Sequence, residues 1–433
     1  MTKNTQHTKV LKPWGNYKSL RSKTHYLNKG RLPKTLASNN YIVFANGRSY
    51  GDCNLNTNTI QINNLNRITF FDKQKGIIIC QSGVLFSEVL DTIISKNWFL
   101  PVTPGTKFVT VGGAIAADVH GKNHHQVGCF SEFILNLQLL LPDGSIINCS
   151  KKENTEMFRA TCGGMGLTGI ILEATIQLIP IKGTQIQQKT IATTNLKKVF
   201  EAFEAYENTT YVVAWLDASS IKPGKGIILL GEHLEDEKVK QSPSFKVSVP
   251  KWFPSIFLNP LSIKWYNKYY YRKQKNKNQI VSLDTFFYPL DSIKKWYRLY
   301  GKKGFIQYQI VVPKKNGFKA ISKLLEVIKK SKHTSYLTIL KLMKEANDNY
   351  LSFPMEGYTI ALDFKVKKGL WGFLDTLDQI VLTYNGRTYL AKDGRIKKGV
   401  FEKGYPRLEK FKLIREKYKL GILQSQLSNR LGI

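Results

Sequence analysis

Three glycine-rich turns lie close together in the first 170 residues, and they limit what this chain can fold into. They read NGRSYGD at 46–52, PGTKFVTVGG at 104–113 and GGMGLTG at 163–169. Glycine is favoured where the backbone adopts positive φ or is approached closely by another group. Three such turns in one stretch, one of them carrying Arg48, predict loops whose backbone amides cradle an anionic ligand such as a diphosphate.

The third turn matches the GxGxxG pattern of dinucleotide-binding Rossmann folds at Gly164, Gly166 and Gly169, but its context is inverted. That pattern follows a strand, opens a helix and has an acidic residue about 20 positions later. Here NTEMFRAT before the turn predicts a helix and IILEATIQL after it predicts a strand, and no acidic residue lies between Glu173 and Glu201. The Gly-Lys-Ser/Thr signature of P-loops is also absent. We therefore exclude both nucleotide-binding folds.

Hydrophobic periodicity predicts an α+β chain with two regions. From about 40 to 180, short β-like runs at 41–47, 59–63, 76–83 and 169–180 are cut by turns, PDGS at 142–145 predicts a hairpin, and 85–98 predicts a helix. From about 185 to 385, strands such as GFIQYQIVVP alternate with amphipathic helices at 317–332 and 369–386. A short strand from about 387 and one basic helix, 405–420, end the chain.

The net charge of +34 and the pI near 9.8 attract nucleic acid, anionic lipid or phosphorylated substrates, although a lysine-rich composition alone produces the same values. The segment KWYNKYYYRKQKNKNQ, 264–279, interleaves basic and aromatic residues. This pattern suits a membrane surface and also single-stranded nucleic acid. No apolar run reaches the length of a membrane-spanning helix, and the polar N-terminus predicts no signal peptide. Five cysteines without a CxxC pair favour reduced thiols and a cytoplasmic setting.

Three of the seven histidines, His120, His124 and His125, follow the second glycine turn. A zinc site usually adds cysteine or carboxylate ligands at defined spacings, and only Asp118 is near. We expect no metal here. One or two histidines should line a redox cofactor, and the others should be solvated.

The glycine turns together resemble a known family. GRSYGDCNLN, PGTKFVTVGGAIAADVHGKNHH and GGMGLTGIILEATI are similar to the flavin-binding motifs of the vanillyl-alcohol-oxidase (PCMH-type FAD-binding) superfamily, in the branch that contains the decaprenylphosphoryl-ribose 2'-oxidases. YVVAWLD, PLD at 289–291, YGKKGFIQYQIVVP, LSFP, GRTYLAKDGR and SQLSNRL continue the resemblance in the same order. It covers the chain from about residue 40 to the end.

The resemblance implies an FAD-binding domain over 1–182, an α+β substrate-binding domain over 183–385, and a segment, 386–433, that returns to the FAD domain and closes the active site. We expect non-covalent FAD, because histidine often tethers the flavin in this superfamily and the first glycine turn has none. The cofactor contacts implied by position are Val43, Phe44, Ala45, Asn46, Gly47, Arg48, Ser49, Tyr50, Gly51, Asp52, Cys53, Gly105, Thr110, Val111, Gly112, Gly113, Ala117, Asp118, Val119, His120, Gly166, Ile171 and Tyr389.

The resemblance also implies catalytic roles for Lys392, Tyr50 and His120. Lys392 matches the family's catalytic lysine. As an ammonium it would hold the substrate hydroxyl or stabilise reduced flavin, and once deprotonated by burial it would serve as the base. Tyr50 is the second candidate for proton handling. The substrate residues implied are Lys122, Trp215, Phe287, Gln307, Gln309, Lys341, Thr359 and Ala361.

Several positions depart from the family pattern. Thr359 and Ala361 stand where mycobacterial members have asparagine and cysteine, Phe287 replaces a pocket tyrosine, and Met165 replaces an asparagine common in the third turn. These changes leave FAD binding as expected but bear on the choice of sugar and lipid.

The implied function is FAD-dependent oxidation of the 2'-hydroxyl of a polyprenyl-phosphate-linked pentose, the first half of a two-enzyme epimerisation completed by a short-chain NADH-dependent reductase. We expect a cytoplasmic protein, peripheral on the inner face of the cell membrane, that binds no nucleic acid. The alternatives are a soluble sugar, alditol or aldonolactone oxidase of the same fold and, more distantly, a basic nucleic-acid-binding protein.

Overall fold

The computed structural model describes residues 7–27, 32–33, 36, 39–218, 224–235 and 247–433. The described residues up to 180 form three sheets and four α-helices. The strands are β1 (His7–Leu11), β2 (Leu20–Tyr26), β3 (Ile42–Phe44), β4 (Asn58–Gln61), β5 (Ile68–Asp72), β6 (Ile77–Gln81), β7 (Trp98–Phe99), β8 (Ile134–Leu140), β9 (Ile146–Cys149), β10 (Ile170–Gln177) and β11 (Ile179–Pro180). The helices are α1 (Phe86–Ile93), α2 (Val111–Ala116), α3 (His124–Val127) and α4 (Thr155–Thr161).

Two of these sheets frame the glycine turns. One has the order β1-β2-β4-β3, with β2 and β3 both parallel to β4. The other is antiparallel in the order β5-β6-β10-β8-β9, and PDGS joins β8 to β9 as the predicted hairpin. The third glycine turn lies between helix α4 and strand β10, which is the inverted order that excludes a Rossmann unit. The sequence pattern did not indicate β1 and β2, because HTKVL and LRSKTHY carry few apolar residues.

The second half is dominated by one eight-stranded sheet. Its strands, with two short outlying ones, are β12 (Gln185–Thr193), β13 (Tyr211–Leu216), β14 (Gly226–His233), β15 (Val247–Ser248), β16 (Asn278–Ser282), β17 (Ile293–Lys294), β18 (Phe305–Pro313), β19 (Ser335–Met343), β20 (Gly357–Lys365) and β21 (Arg387–Thr388). The helices are α5 (Leu196–Ala205), α6 (Pro260–Gln274), α7 (Leu283–Phe287), α8 (Gly317–Lys330) and α9 (Leu370–Thr383). The sheet order is β16-β12-β14-β13-β19-β20-β18-β21, and every neighbouring pair is antiparallel.

Alternation along the strands gives this sheet two different faces. In β18, Ile306, Tyr308 and Ile310 pack in the core formed with α5, α8 and α9. Side chains in a strand point alternately to opposite sides, so Gln307 and Gln309 face away from the helices. The second face therefore turns towards the first half of the molecule.

The C-terminal segment contains three helices, α10 (Lys398–Gly404), α11 (Leu408–Lys417) and α12 (Gln426–Leu431), and not the single basic helix that the sequence pattern predicts. Its apolar residues, among them Phe411 and Leu427, join the core of the first half. The mixed architecture confirms the predicted α+β class. The domain limits stay a prediction, and the limit at 182 falls between β11 and β12. In the part of the chain that the structure describes, no helix is long and apolar enough to cross a bilayer.

Candidate functional site

A cavity of about 520 Å³ lies between the glycine turns and the face of the eight-stranded sheet opposite α5, α8 and α9. The first wall, the glycine wall, carries Asn46 to Tyr50, Gly105, Gly112, Gly113 and Gly166. The second, the sheet wall, carries Val213, Trp215, Leu229, Gln307, Gln309, Leu337, Ile339, Lys341 and Ala361. A volume of this size suits a ligand site with one largely apolar side and a few placed polar groups.

The first glycine turn is pinned to the C-terminal segment through backbone groups. The Tyr50 and Asp52 amides donate to carbonyl oxygens of residues 391 and 393, at 3.1 and 3.3 Å. A Cβ at Gly51 would stand 1.6 Å from the Asp393 carbonyl oxygen. Only glycine therefore allows this approach, which brings the turn at 390–392 against Tyr50.

The second glycine turn brings backbone to the cavity at the start of α2. The Thr110 hydroxyl caps this helix by accepting the Gly113 amide at 3.1 Å. A Cβ at Gly112 would come within 2.7 Å of the Ser82 side chain, so glycine is needed for packing there. Gly105 is different, because no protein atom lies within 4 Å of its missing Cβ. The space beside Gly105 belongs to the cavity.

His120 links the two walls. Its Nε2 accepts a hydrogen bond from Gln309 Nε2 at 3.0 Å, and the same amide group contacts Thr359 Oγ1 at 3.2 Å. Burial lowers the pKa of His120 well below its usual range, and the charges of Lys341 and Lys392 add to this. The ring is therefore neutral, with its proton on Nδ1, and Nδ1 is buried without a hydrogen-bond partner among the described residues.

Lys392 and Tyr50 form the second polar cluster. Lys392 Nζ lies 3.8 Å from the centre of the Tyr50 ring. Burial lowers the pKa of Lys392 to about 7, partly opposed by the nearby Asp363 carboxylate. Burial also raises the pKa of Tyr50 well above its usual range, so its hydroxyl stays protonated. A lysine with this pKa can hold or release a proton near neutral pH. It lies in a turn four residues beyond the end of β21.

Asp363 is a site residue that the sequence reasoning missed. Its carboxylate accepts hydrogen bonds from Gln307 Nε2 at 2.7 Å and from the Tyr300 hydroxyl at 3.2 Å. Burial raises its pKa to about 6. Its period-two spacing after Thr359 and Ala361 in β20 was the available signal, because it places all three side chains on one face.

The three predicted catalytic residues line the cavity, as do most of the predicted cofactor and substrate residues. Phe44, Gly51, Asp52, Val111, Asp118 and Thr359 do not line it. Asp118 turns its carboxylate towards the segment 347–352, where it accepts hydrogen bonds from Asn347, Asn349 and Ser352 at 2.7–2.9 Å. Its side chain therefore holds this segment in place.

The side chains of His124 and His125 contact backbone groups of other segments and do not line the cavity. His124 is buried, its Nδ1 accepts the Lys344 amide at 3.3 Å, and burial lowers its pKa to about 3. His125 Nε2 lies 2.9 Å from the Thr209 carbonyl oxygen. The expectation that the remaining histidines are solvated is therefore wrong for His124, because its ring fills core space. No group of three or more metal-ligating side chains occurs in the described ranges.

The residues of the glycine wall fit FAD. Gly105 leaves open space, and the capped start of α2 brings backbone to the cavity. Arg48 stacks 4.1 Å from the Trp14 ring centre, and its Nε is buried without a partner among the described residues. A diphosphate and a planar ring system would use such backbone and cationic groups.

Comparison with known proteins supports an FAD-binding site in this cavity. Residues 36–150 match the family model described as an FAD binding domain, which includes the first two glycine turns. Decaprenylphosphoryl-beta-D-ribose oxidase of Mycolicibacterium smegmatis is 34% identical over 405 residues, covering 89% of this chain and 88% of the relative. An uncharacterized protein of Streptomyces coelicolor is 27% identical over 81% of this chain and 100% of its own length. Human Delta(24)-sterol reductase is 33% identical over 119 residues, covering 28% of this chain and 23% of the relative.

These likenesses confirm the predicted superfamily, its FAD cofactor and its class of chemistry. The protein is an FAD-dependent oxidoreductase that acts on CH–OH groups, and the chain belongs to the family of FAD-linked oxidases that contains decaprenylphosphoryl-beta-D-ribose oxidase.

Proposed function

We propose that this protein oxidises the 2'-hydroxyl of a pentose attached to a polyprenyl phosphate. The observation that carries the proposal is the meeting of Lys392, His120 and Gln309 in one cavity, facing the glycine wall. The near-full-length likeness to an oxidase of decaprenylphosphoryl-ribose supports a substrate of this class.

When bound, FAD supplies the acceptor for the hydride that leaves the carbinol carbon. The hydroxyl proton must leave separately. We propose that neutral Lys392 takes it at Nζ, because burial brings the pKa of this lysine to about 7. Gln309 fixes the ring of His120, and Gln307 is held by Asp363, so both amide groups are positioned beside a sugar in the cavity. Tyr50 would then position Lys392 through its ring.

Lys392→Ala tests this assignment. The purified variant should keep FAD, and substrate-dependent bleaching of the flavin absorbance should be lost. In the unaltered protein the bleaching rate should fall as the pH drops below about 7, because protonated Lys392 cannot accept a proton. Lys392→Arg keeps the positive charge, but arginine cannot accept the proton, so substrate should not bleach the flavin of this variant either. Lys398→Ala, an exposed lysine nearby, is the control. Normal bleaching by Lys392→Arg would show that Lys392 is not the base.

The product of this reaction is a keto sugar, so an epimerisation needs a second enzyme that returns a hydride to the other face. We propose a short-chain NADH-dependent reductase for that step. The alternative is a soluble sugar, alditol or aldonolactone oxidase of the same fold. Bleaching by free alditols or aldonolactones, without bleaching by a prenyl-phosphate pentose, would favour the alternative.

We also propose that the protein is cytoplasmic and binds the inner face of the cell membrane. Helix α6 overlaps the basic and aromatic segment 264–279. It exposes Leu261, Trp265 and Tyr269 at 71, 71 and 59% of their surface. Trp252, Ile256 and Phe257 extend this apolar surface, and Tyr266 and Tyr270 of the same helix line the cavity. A basic surface with exposed aromatic groups favours an anionic bilayer.

Liposome co-sedimentation tests the membrane proposal. Replacing Lys264, Lys268, Arg272 and Lys273 with glutamine should weaken binding to anionic vesicles by several-fold. The control replaces Lys197, Lys314, Lys315 and Lys319, which removes the same charge from another surface. Equal loss in both variants would mean that only net charge matters, and unchanged binding in the first would refute the proposal.

A further inference from the structure

Four cationic side chains line the cavity, and they differ in their counter-charges. Lys392 has the Asp363 carboxylate near it, and Arg48 is attracted by Asp291. Lys122 and Lys341 have no ion pair among the described residues, and no carboxylate contributes to the pKa of either. Two half-buried lysines in the same cavity therefore have no carboxylate partner among the described residues.

Lys122 and the strand that carries Lys341 lie along the same edge of strand β13. The Lys122 carbonyl accepts the Val212 amide at 3.0 Å, and Leu340, which precedes Lys341, pairs with Ala214 of the same strand. Each side chain is half-buried. Its removal from water, together with the charge of Lys341, lowers the pKa of Lys122 to about 7. Lys122 Nζ donates to the Phe286 carbonyl, which leaves it further protons to donate into the cavity.

Buried lysines without a counter-charge are unfavourable unless a ligand supplies the anion. An ammonium is a compact charge that suits a phosphoryl oxygen. The sheet wall beside these lysines is apolar at Val213, Leu229 and Ile339, which suits the first units of a lipid chain.

We propose that Lys122 and Lys341 form the subsite for the phosphoryl group that joins the sugar to its lipid carrier. This inference rests on the proposed function and assigns one part of its substrate to two residues. It separates the roles of the lysines in the cavity. Lys392 acts on the sugar hydroxyl, while Lys122 and Lys341 hold the phosphate at the sheet wall.

Farnesyl phosphate and farnesol form a matched pair of probes, since they differ only in the phosphate. Each is titrated into the FAD-loaded protein while the flavin and tryptophan fluorescence are followed. Farnesyl phosphate should bind at least ten-fold more tightly than farnesol. Lys341→Met and Lys122→Met should each remove most of this preference and leave farnesol binding unchanged, and Lys398→Met should behave as the unaltered protein.

Equal affinity for the two probes, or variants that keep the preference, would overturn the subsite. Loss of FAD from both variants would also overturn it, because the lysines would then hold the cofactor's diphosphate. Thermal melting checks the fold: without ligand, Lys341→Met should melt at a higher temperature, since it removes a half-buried cation that has no carboxylate partner. Phosphate-dependent binding without oxidation of a prenyl-phosphate pentose would refute the proposed oxidation and leave the phosphate subsite standing.

Discussion

The glycine wall and the sheet wall of the cavity present different kinds of atoms to a ligand. The glycine wall offers main-chain groups, and its position depends on close backbone approach, as where Gly51 meets the Asp393 carbonyl. The sheet wall offers side chains, and their positions depend on alternation along strands that are far apart in the chain. His120 and Gln309, which join the two walls, are separated by 189 residues.

This difference suggests a division of labour. We propose that the cofactor meets the glycine wall, whose position depends on the close approach of Gly51 to the Asp393 carbonyl. We propose that the substrate meets the sheet wall, where a lining residue such as Ala361 can change without moving the strands. Substitutions that disturb the glycine wall should therefore reduce FAD binding, while substitutions on the sheet wall should reduce substrate binding.

Gly51→Ala should have the largest effect. Its Cβ would overlap the Asp393 carbonyl oxygen at 1.6 Å, so the first glycine turn and the turn carrying Lys392 must separate. We expect FAD to be lost, as measured by the ratio of flavin to protein absorbance, together with a large fall in melting temperature. Gly399→Ala is the control, because no atom lies within 4 Å of its Cβ. In helix α10 this change should stabilise the protein by up to about 1 kcal/mol.

Gly105→Ala sharpens the same test. The protein itself leaves room for this Cβ. Loss of FAD with an unchanged melting temperature of the FAD-free protein would show that the cofactor occupies the space beside Gly105. Full retention of FAD by Gly51→Ala would contradict the idea that backbone approach builds this wall.

Arg430→Met should have the next largest effect, because it removes the ion pairs that join the first glycine turn to the turn carrying Lys392. Arg430 donates hydrogen bonds of 2.9 Å to both Asp52, in the first glycine turn, and Asp393, beside Lys392. Removing one partner of a buried pair costs about 3–5 kcal/mol. Urea denaturation at pH 7 measures this loss, and Arg430→Lys should recover part of it.

The loss should depend on pH in a defined direction. Burial already raises the pKa of Asp52, and the Arg430 charge opposes this. Without Arg430 the folded-state pKa of Asp52 rises further above its unfolded value. The folded variant then binds more protons than the unfolded chain, so its free energy of unfolding should fall as the pH rises from about 4 to 7. A pH-independent loss would mean that Asp52 is not the group left unpaired.

The sequence predicted the two walls unequally. The glycine turns, helices α1, α8 and α9, the hairpin and the inverted helix-turn-strand order follow from local patterns, because turn chemistry and periodicity are local properties. For Gln307 and Gln309 the local pattern predicts only that they share one polar face of a strand. The family resemblance was needed to predict that they contact the substrate. Asp363 was missed, and Lys392 was placed by motif alone, because their neighbours come from distant segments. The roles assigned to these residues stay predictions.

Gln309→Leu should destabilise the protein less than Gly51→Ala or Arg430→Met, and it tests the hydrogen bond that joins the two walls. The change removes the donor to His120 Nε2 and the contact with Thr359 Oγ1. Both ring nitrogens of His120 then lack a partner among the described residues, which should destabilise the protein by about 1–3 kcal/mol. FAD content should be unchanged, because the glycine wall is untouched, while the KM for substrate rises. Gln379→Leu, on the exposed face of α9, should change the free energy of unfolding by less than about 0.5 kcal/mol. Loss of FAD from Gln309→Leu would mean that the sheet wall also holds the cofactor, and the division between the two walls would fail.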